Sequence, residues 1–253
     1  MGTKWIDLNA DLGEGTGNDA EMMRYVSSAN IACGGHAGDD VTIQQSIELA
    51  LENNVAIGAH PGFEDKENFG RRQLHLTPNE LSDQITRQLE RFEDWAQRAN
   101  VTTQYVKLHG ALANMTAADQ GLAETAYKAV KAFRTDMPIL ALANSAQTLA
   151  AKQLGLPAID EAFADRAYTN DGQLASRALE GAVLTQDTTV LAHVTSLLTT
   201  GKVKTITGSE LNLRAQSICL HGDNAHAVHL AMRISETIKA LGINIESFAN
   251  KKI

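Results

Sequence analysis

The chain has 253 residues, 43% hydrophobic and 21% charged, which is enough apolar material for a sizeable core and excludes a disordered polymer. Its formal net charge of −8 excludes nucleic acid or an anionic membrane surface as the main partner, because an acidic protein gains nothing from meeting either. No apolar stretch reaches the length of a membrane span and M-G-T-K-W-I-D-L-N-A-D carries no secretion-signal apolar region, so a cytoplasmic location is expected, and Cys33 and Cys219 are too few for a disulfide scaffold.

Strand-like apolar runs recur at 5–9, 28–33, 55–59, 104–108, 138–143, 158–163, 182–184, 203–207 and 217–220. The first leads into D-L-N-A-D-L-G-E-G, residues 7–15, where Asp7, Asn9 and Asp11 share one side if the strand continues. The second ends in C-G-G-H-A-G-D, which presents His36 between small residues. Asp39 and Asp40 then cap a helix whose apolar face carries Ile43, Ile47, Ala50 and Leu51. The third ends in G-A-H-P-G around His60 and enters a long polar connection, 64–77, that holds Gly70-Arg71-Arg72. There Thr77-Pro78-Asn79-Glu80 supplies a capping box with proline at the first helical position, and Leu81, Ile85, Leu89, Phe92 and Ala96 give the next helix its buried stripe. K-L-H-G-A-L around His109, F-A-D-R at 163–166 and C-L-H-G-D at 219–223 follow later strands. A final helix over about 224–241 is expected to bury Val228, Ala231, Ile234, Ile238 and Leu241.

Strands alternating with helices imply a mainly parallel sheet. Seven or eight such units, with no linker and no solenoid repeat, predict a single β/α barrel of TIM-like type over residues 1–253. In such a barrel the chemistry collects at the C-terminal ends of the strands, where the polar motifs stand. His36, His60, His109 and His221 occupy equivalent strand-end positions. Any one of them could be a partly buried ring satisfied by a backbone carbonyl, but four together suit proton transfer or metal ligation. His75, His193, His226 and His229 lack that setting and read as structural or solvated.

Asp11 and Glu14 favour function over turn formation, whereas Asp39 and Asp223 are equally explained as helix N-caps. Carboxylates beside imidazoles could bind Zn²⁺ or Mn²⁺, although no H-E-x-x-H helix or paired C-x-x-C is present. A guanidinium of the adjacent Arg71-Arg72 pair, and Arg166, are candidate clamps for a carboxylate or phosphate. Cys33, approached by apolar residues and without an adjacent base, reads as a packed thiol. There is no G-x-S-x-G elbow, P-loop or G-x-G-x-x-G between strand and helix, so the spacing alone shows no nucleotide site.

The ordered set D-L-N-x-D-x-G-E-G, S-S-A-N-I-A-C-G-x-H-A-G-D, I-G-A-H-P-G-F, F-G-R-R, H-G-A-L, F-A-D-R-x-Y and I-C-x-H-G-D closely resembles the LamB/YcsF family from about Asp7 to Leu241. The resemblance implies a barrel related to the metal-dependent carbohydrate deacetylases. It also implies the A-type component of an ATP-dependent 5-oxoprolinase, which opens 5-oxoproline to L-glutamate with ATP as co-substrate and with two partner subunits of B and C type. The chain departs from the family's usual K-P-H-G-A-L-Y at Leu108 and Ala113, and also at Gly35, Asp40 and Asn224-Ala225, changes that surround the presumed site and leave its carboxylates, imidazoles, lysine and arginines in place.

On this resemblance, water activation falls to His60 or Asp11 and proton donation to His109 or His221. Anion binding falls to Lys107, Arg72 and Arg166, while Glu14, His36, Asp165 and Asp223 would orient these groups or hold a divalent ion. The alternatives are a stand-alone metal-dependent deacetylase or amidase, favoured by the convergent histidines, and a non-catalytic binding subunit, suggested by the altered K-L-H-G-A-L-A.

Overall fold

A computed structural model describes residues 4–221 and 226–251. β1 (Trp5–Leu12) sets the pattern of the interior. Leu8, Ala10 and Leu12 join the main apolar cluster, while Asp7, Asn9 and Asp11 turn into the barrel, as the two-residue period of a strand requires. β2 (Ser28–Ala32), β3 (Ala56–His60), β4 (Tyr105–Val106), β5 (Ile139–Leu142) and β6 (Ala158–Phe163) follow in parallel. β7 (Lys202–Lys204) and β8 (Glu210–Asn212) form a separate antiparallel ribbon. β9 (Ser217–His221) returns between β6 and β1, so the order β1-β2-β3-β4-β5-β6-β9 closes a 7-stranded parallel barrel. β10 (Asn244–Ile245) lies along the start of β1.

The helices α1 (Asp19–Met22), α2 (Asp40–Glu52), α3 (Pro78–Arg98), α4 (Gly110–Ala118), α5 (Gln120–Phe133), α6 (Ala146–Gln153), α7 (Asp187–Thr200) and α8 (Ala227–Ala240) surround the strands. Asp39 caps α2 by accepting the Thr42 amide at 2.9 Å. Thr77 and Glu80 make the expected capping box at α3, with Pro78 at its first position. Of the faces read from periodicity, Leu51 and Leu241 turn out exposed at the helix ends, while Ile43, Ile47, Ala231, Ile234 and Ile238 are buried. No helix among the described residues is long and apolar enough to cross a membrane.

Two expected strands have other fates. Residues 182–184 lie in the connection between β6 and α7, where Val183 makes an isolated bridge to Arg166. The run at 203–207 shortens to β7 and pairs with β8 outside the barrel, because β6 and β9 already pair directly and leave no place for it. The expected last helix forms as α8 from Ala227, and the first residues expected for it, Asn224-Ala225, lie outside the described residues.

The interior is polar along its axis and apolar at one end. Tyr105, Leu140, Ile159 and Phe248 plug the end where β1 starts. Tyr105 crosses the interior and donates to Asn30 Oδ1 at 2.8 Å. β3 must carry Gly58 there, since a Cβ would lie 2.2 Å from the phenol ring.

Candidate active site

At the open end, Asp11 of β1, Glu161 of β6 and Lys107 just after β4 form the floor of a cavity of about 540 Å³, with Cys219 of β9 beneath Lys107. Lys107 Nζ donates to Asp11 Oδ1 and Glu161 Oε1, each at 2.9 Å, and to Cys219 Sγ at 3.0 Å. Burial opposes its charge, but the two carboxylates outweigh burial and hold its ammonium well above the ordinary range. Burial opposes ionisation of Asp11 as well. Lys107 and His60 outweigh it and hold that carboxyl well below the usual range. Asn30 Nδ2 adds a 2.8 Å bond to Asp11 Oδ1.

Above the floor three imidazoles meet. His36 projects from the turn that Gly34 N closes on Ala37 O at 2.9 Å, His60 ends β3, and His109 caps α4. The 60–70 connection folds over them at Gly70, whose φ is positive at 61° and where a Cβ would lie 2.7 Å from His36 Cβ, so no side chain fits. His36 and His109 stack with ring centroids 3.5 Å apart.

The protons on these rings can be assigned from their acceptors. His60 Nδ1 lies 2.8 Å from the Lys107 carbonyl oxygen and His109 Nε2 lies 3.0 Å from that of Phe69. A carbonyl accepts and never donates, so each ring carries its proton there. Burial, aided by the neighbouring His60, holds His109 down to about 3, so it has no second proton at neutral pH. His60 Nε2 lies 3.0 Å from His109 Nδ1, which therefore presents a lone pair toward it. Asp11 Oδ2 lies 3.4 Å from the first and Glu14 Oε1 3.6 Å from the second. His36 Nε2 stands 3.4 Å from the same Glu14 oxygen, and neither nitrogen of His36 has a hydrogen-bond partner among the described residues. Burial keeps that ring neutral as well. His109 Nδ1 turns its lone pair toward a Glu14 oxygen, and a cation between them would satisfy both. The ligand atoms of Glu14, His36, His60 and His109 lie within 4.8 Å of one another, so this group fits a divalent ion that accepts nitrogen and oxygen donors.

The other half of the rim comes from β6 and β9. His221 Nδ1 lies 2.8 Å from Asp165 Oδ2, and its ring stacks on Phe163. Burial opposes ionisation of Asp165, but His221 and Arg166 outweigh it and keep the carboxyl below its ordinary range. Arg166 lines the cavity with its guanidinium bonded to the carbonyls of Ala175 at 2.6 Å and Ala182 at 3.3 Å.

Of the residues singled out in the sequence, Asp11, Glu14, His60, Lys107, His109, Arg166 and His221 line this cavity, and His36 and Asp165 pack directly behind. Arg72 turns outward and pairs with Asp65 at 3.5 Å, whereas its neighbour Arg71 lines the cavity. Asp223 lies outside the described residues. Sequence reading missed Glu161 and Arg177. Glu161 had a signal, since it sits two residues before Phe163 on a strand and so shares its face. Arg177 stands in a connection without periodicity and had none. Cys33 is buried, and burial pushes its thiol up to about 12, which leaves no thiolate for nucleophilic attack. His75 is exposed, His226 and His229 pair with Asp187, and His193 stacks on Tyr168.

Known proteins resemble this chain to different depths. The chain is 43% identical over 242 residues to the A-type 5-oxoprolinase subunit of Erwinia tasmaniensis, covering 96% of this chain and 99% of that one. The lactam utilization protein of Thermus thermophilus superposes with a TM-score of 0.90 at 34% identity, covering 96% of this chain and 100% of that one. The peptidoglycan deacetylase PdaC of Bacillus subtilis, at a TM-score of 0.51, 10% identity and coverage of 98% and 89%, shares the fold alone. The LamB/YcsF family pattern matches residues 6–252, and the chain belongs to that family.

Proposed function

We propose that this chain is the lactam-opening component, of A type, of an ATP-dependent 5-oxoprolinase. It would hydrolyse 5-oxoproline to L-glutamate together with partner subunits of B and C type, the whole of 1–253 acting as one barrel domain. The observation that carries the reading is the convergence of Asp11, His60, His109 and Lys107 on one cavity in a chain of this family. An unstrained five-membered lactam is a poor electrophile and its opening is unfavourable, so ATP would supply the driving force. The cavity has room for a phosphoryl group beside the ring.

Opening the ring joins the oxygen of a water to the carbonyl carbon, breaks the C–N bond and protonates the nitrogen. Asp11, kept ionised by Lys107 and 3.4 Å from His60 Nε2, is suited to orient that water and take its proton. Lys107, at the cavity floor, sets a positive potential where carbonyl charge develops. His221, fixed by Asp165, is suited to pass a proton to the nitrogen. A divalent ion held by Glu14, His36, His60 and His109 would polarise the carbonyl or acidify the water when bound. The same cluster favours a second reading, a metal-dependent amidase that needs neither ATP nor partners.

The test is 5-oxoproline-dependent ATP hydrolysis by the reconstituted complex. Asp11→Asn and His60→Ala should each lower turnover by about 10²- to 10⁴-fold with an unchanged circular dichroism spectrum. Turnover near that of the parent would remove those roles. Lactam hydrolysis by the chain alone, without ATP, would favour the amidase.

A further inference from the structure

Arg177 lies in the connection between β6 and α7 at the mouth of the cavity, and its Nη2 donates to His221 Nε2 at 2.9 Å. The direction of that bond follows from the other side of the ring. His221 Nδ1 faces both oxygens of Asp165, at 3.0 and 2.8 Å, and a carboxylate accepts, so the ring proton is on Nδ1 and Nε2 offers its lone pair. A guanidinium is thus resting on a neutral imidazole. Among the described residues Arg177 has no carboxylate within ion-pair distance, although the cavity it lines is rich in charge. Lys107 is engaged by Asp11 and Glu161, and Arg166 by two backbone carbonyls.

This pairing has two consequences. A neutral nitrogen is a weaker partner for a guanidinium than an anion, which can take two of its N–H groups at once. An incoming carboxylate would therefore displace the imidazole. While Arg177 stays in place, the lone pair of His221 is occupied and a cation sits against it, so the ring neither takes up nor delivers a proton at Nε2.

We propose that Arg177 is the receptor for the carboxylate of an acid-bearing lactam, and that its bond to His221 is a resting contact surrendered when that acid binds. The identity of the substrate class rests on the lactam-hydrolysis reading. The exchange between imidazole and anion rests on the geometry alone. Once Arg177 has moved to the carboxylate, Nε2 accepts a proton, held by Asp165 below and influenced by Arg166 at the end of β6 and Asp11 on β1. It returns that proton to the lactam nitrogen as the C–N bond breaks and the water oxygen bonds to the carbonyl carbon. A lactam without an acid group leaves the contact closed, so recognition of the substrate and availability of the proton donor are one event.

The experiment has two arms. In the reconstituted complex, Arg177→Gln should raise KM for 5-oxoproline roughly 10- to 100-fold, and Arg177→Lys should fall between, keeping the charge but losing the fork. In the chain alone, with the imidazoles labelled with ¹⁵N and His221 assigned from His221→Gln, saturating 5-oxoproline or acetate should shift Nε2 and raise the pH at which His221 becomes doubly protonated. In Arg177→Gln that pH should be raised already and should not respond to either anion. An unchanged KM in Arg177→Gln, or a His221 titration identical in the two proteins, overturns the proposal. If the complex hydrolyses no lactam while acetate still shifts His221 through Arg177, the lactam reading fails and the anion exchange stands.

Discussion

Asp7 lies deepest in the barrel, and its environment makes a pH prediction. It is buried, and burial pushes its carboxyl up to about 6 from 3.8, against the hydroxyls of Ser217, Ser28 and Ser27 that donate to it. A carboxyl whose folded value is raised stabilises the fold fully below its unfolded value and loses that contribution as pH rises through the folded one. The window is therefore about pH 4 to 6, and the loss is on the order of 3 kcal/mol. Asp7→Asn cannot ionise, so the difference in denaturant stability between it and the parent should move in its favour by about that amount between pH 4 and pH 7. Equal pH profiles would show that Asp7 stays charged and solvated.

Elements obey their local signals where the signal is local. Thr77, Pro78 and Glu80 start α3 as their spacing requires, because the cap, the fixed proline φ and the reciprocal bond all act within one turn. Thr77→Ala should lower stability by about 1 kcal/mol, read as a lower denaturant midpoint with an unchanged slope, and should leave activity alone. Pairing is not local. The apolar residues near Val203 read as a strand and are one, but their partner is β8 rather than a barrel neighbour. In Gly70-Arg71-Arg72 the sequence supplied two adjacent guanidiniums and no means of telling which faces the cavity. The turn at Phe69 and Gly70, both at positive φ, sends Arg71 inward over the Phe69 ring and Arg72 out to Asp65.

At the scale of the whole molecule the rim divides into two arcs. One, over β1 to β4, gathers Glu14, His36, His60 and His109; the other, over β6 and β9, gathers Asp165, Arg177 and His221. A divalent ion in the first arc would tie the ends of four separate strands together, and it has no such site in the unfolded chain. Zn²⁺ or Mn²⁺ at 100 times its dissociation constant should therefore stabilise the fold by about 2.7 kcal/mol. A chelator should reverse the gain and His36→Ala should abolish it; an unfolding midpoint indifferent to metal would mean that the cluster holds none. The sequence alone determined the alternation of strands and helices, the caps, and the strand-end positions of the imidazoles and of Asp11, because each follows from a period of two or 3.6 residues or from a single turn. Closure of β9 onto β1, the meeting of the His60 and His109 rings, and the approach of Arg177 to His221 across 44 positions of chain were decided by the tertiary structure. Contacts of that kind depend on where distant segments cross the rim, and no local period encodes it.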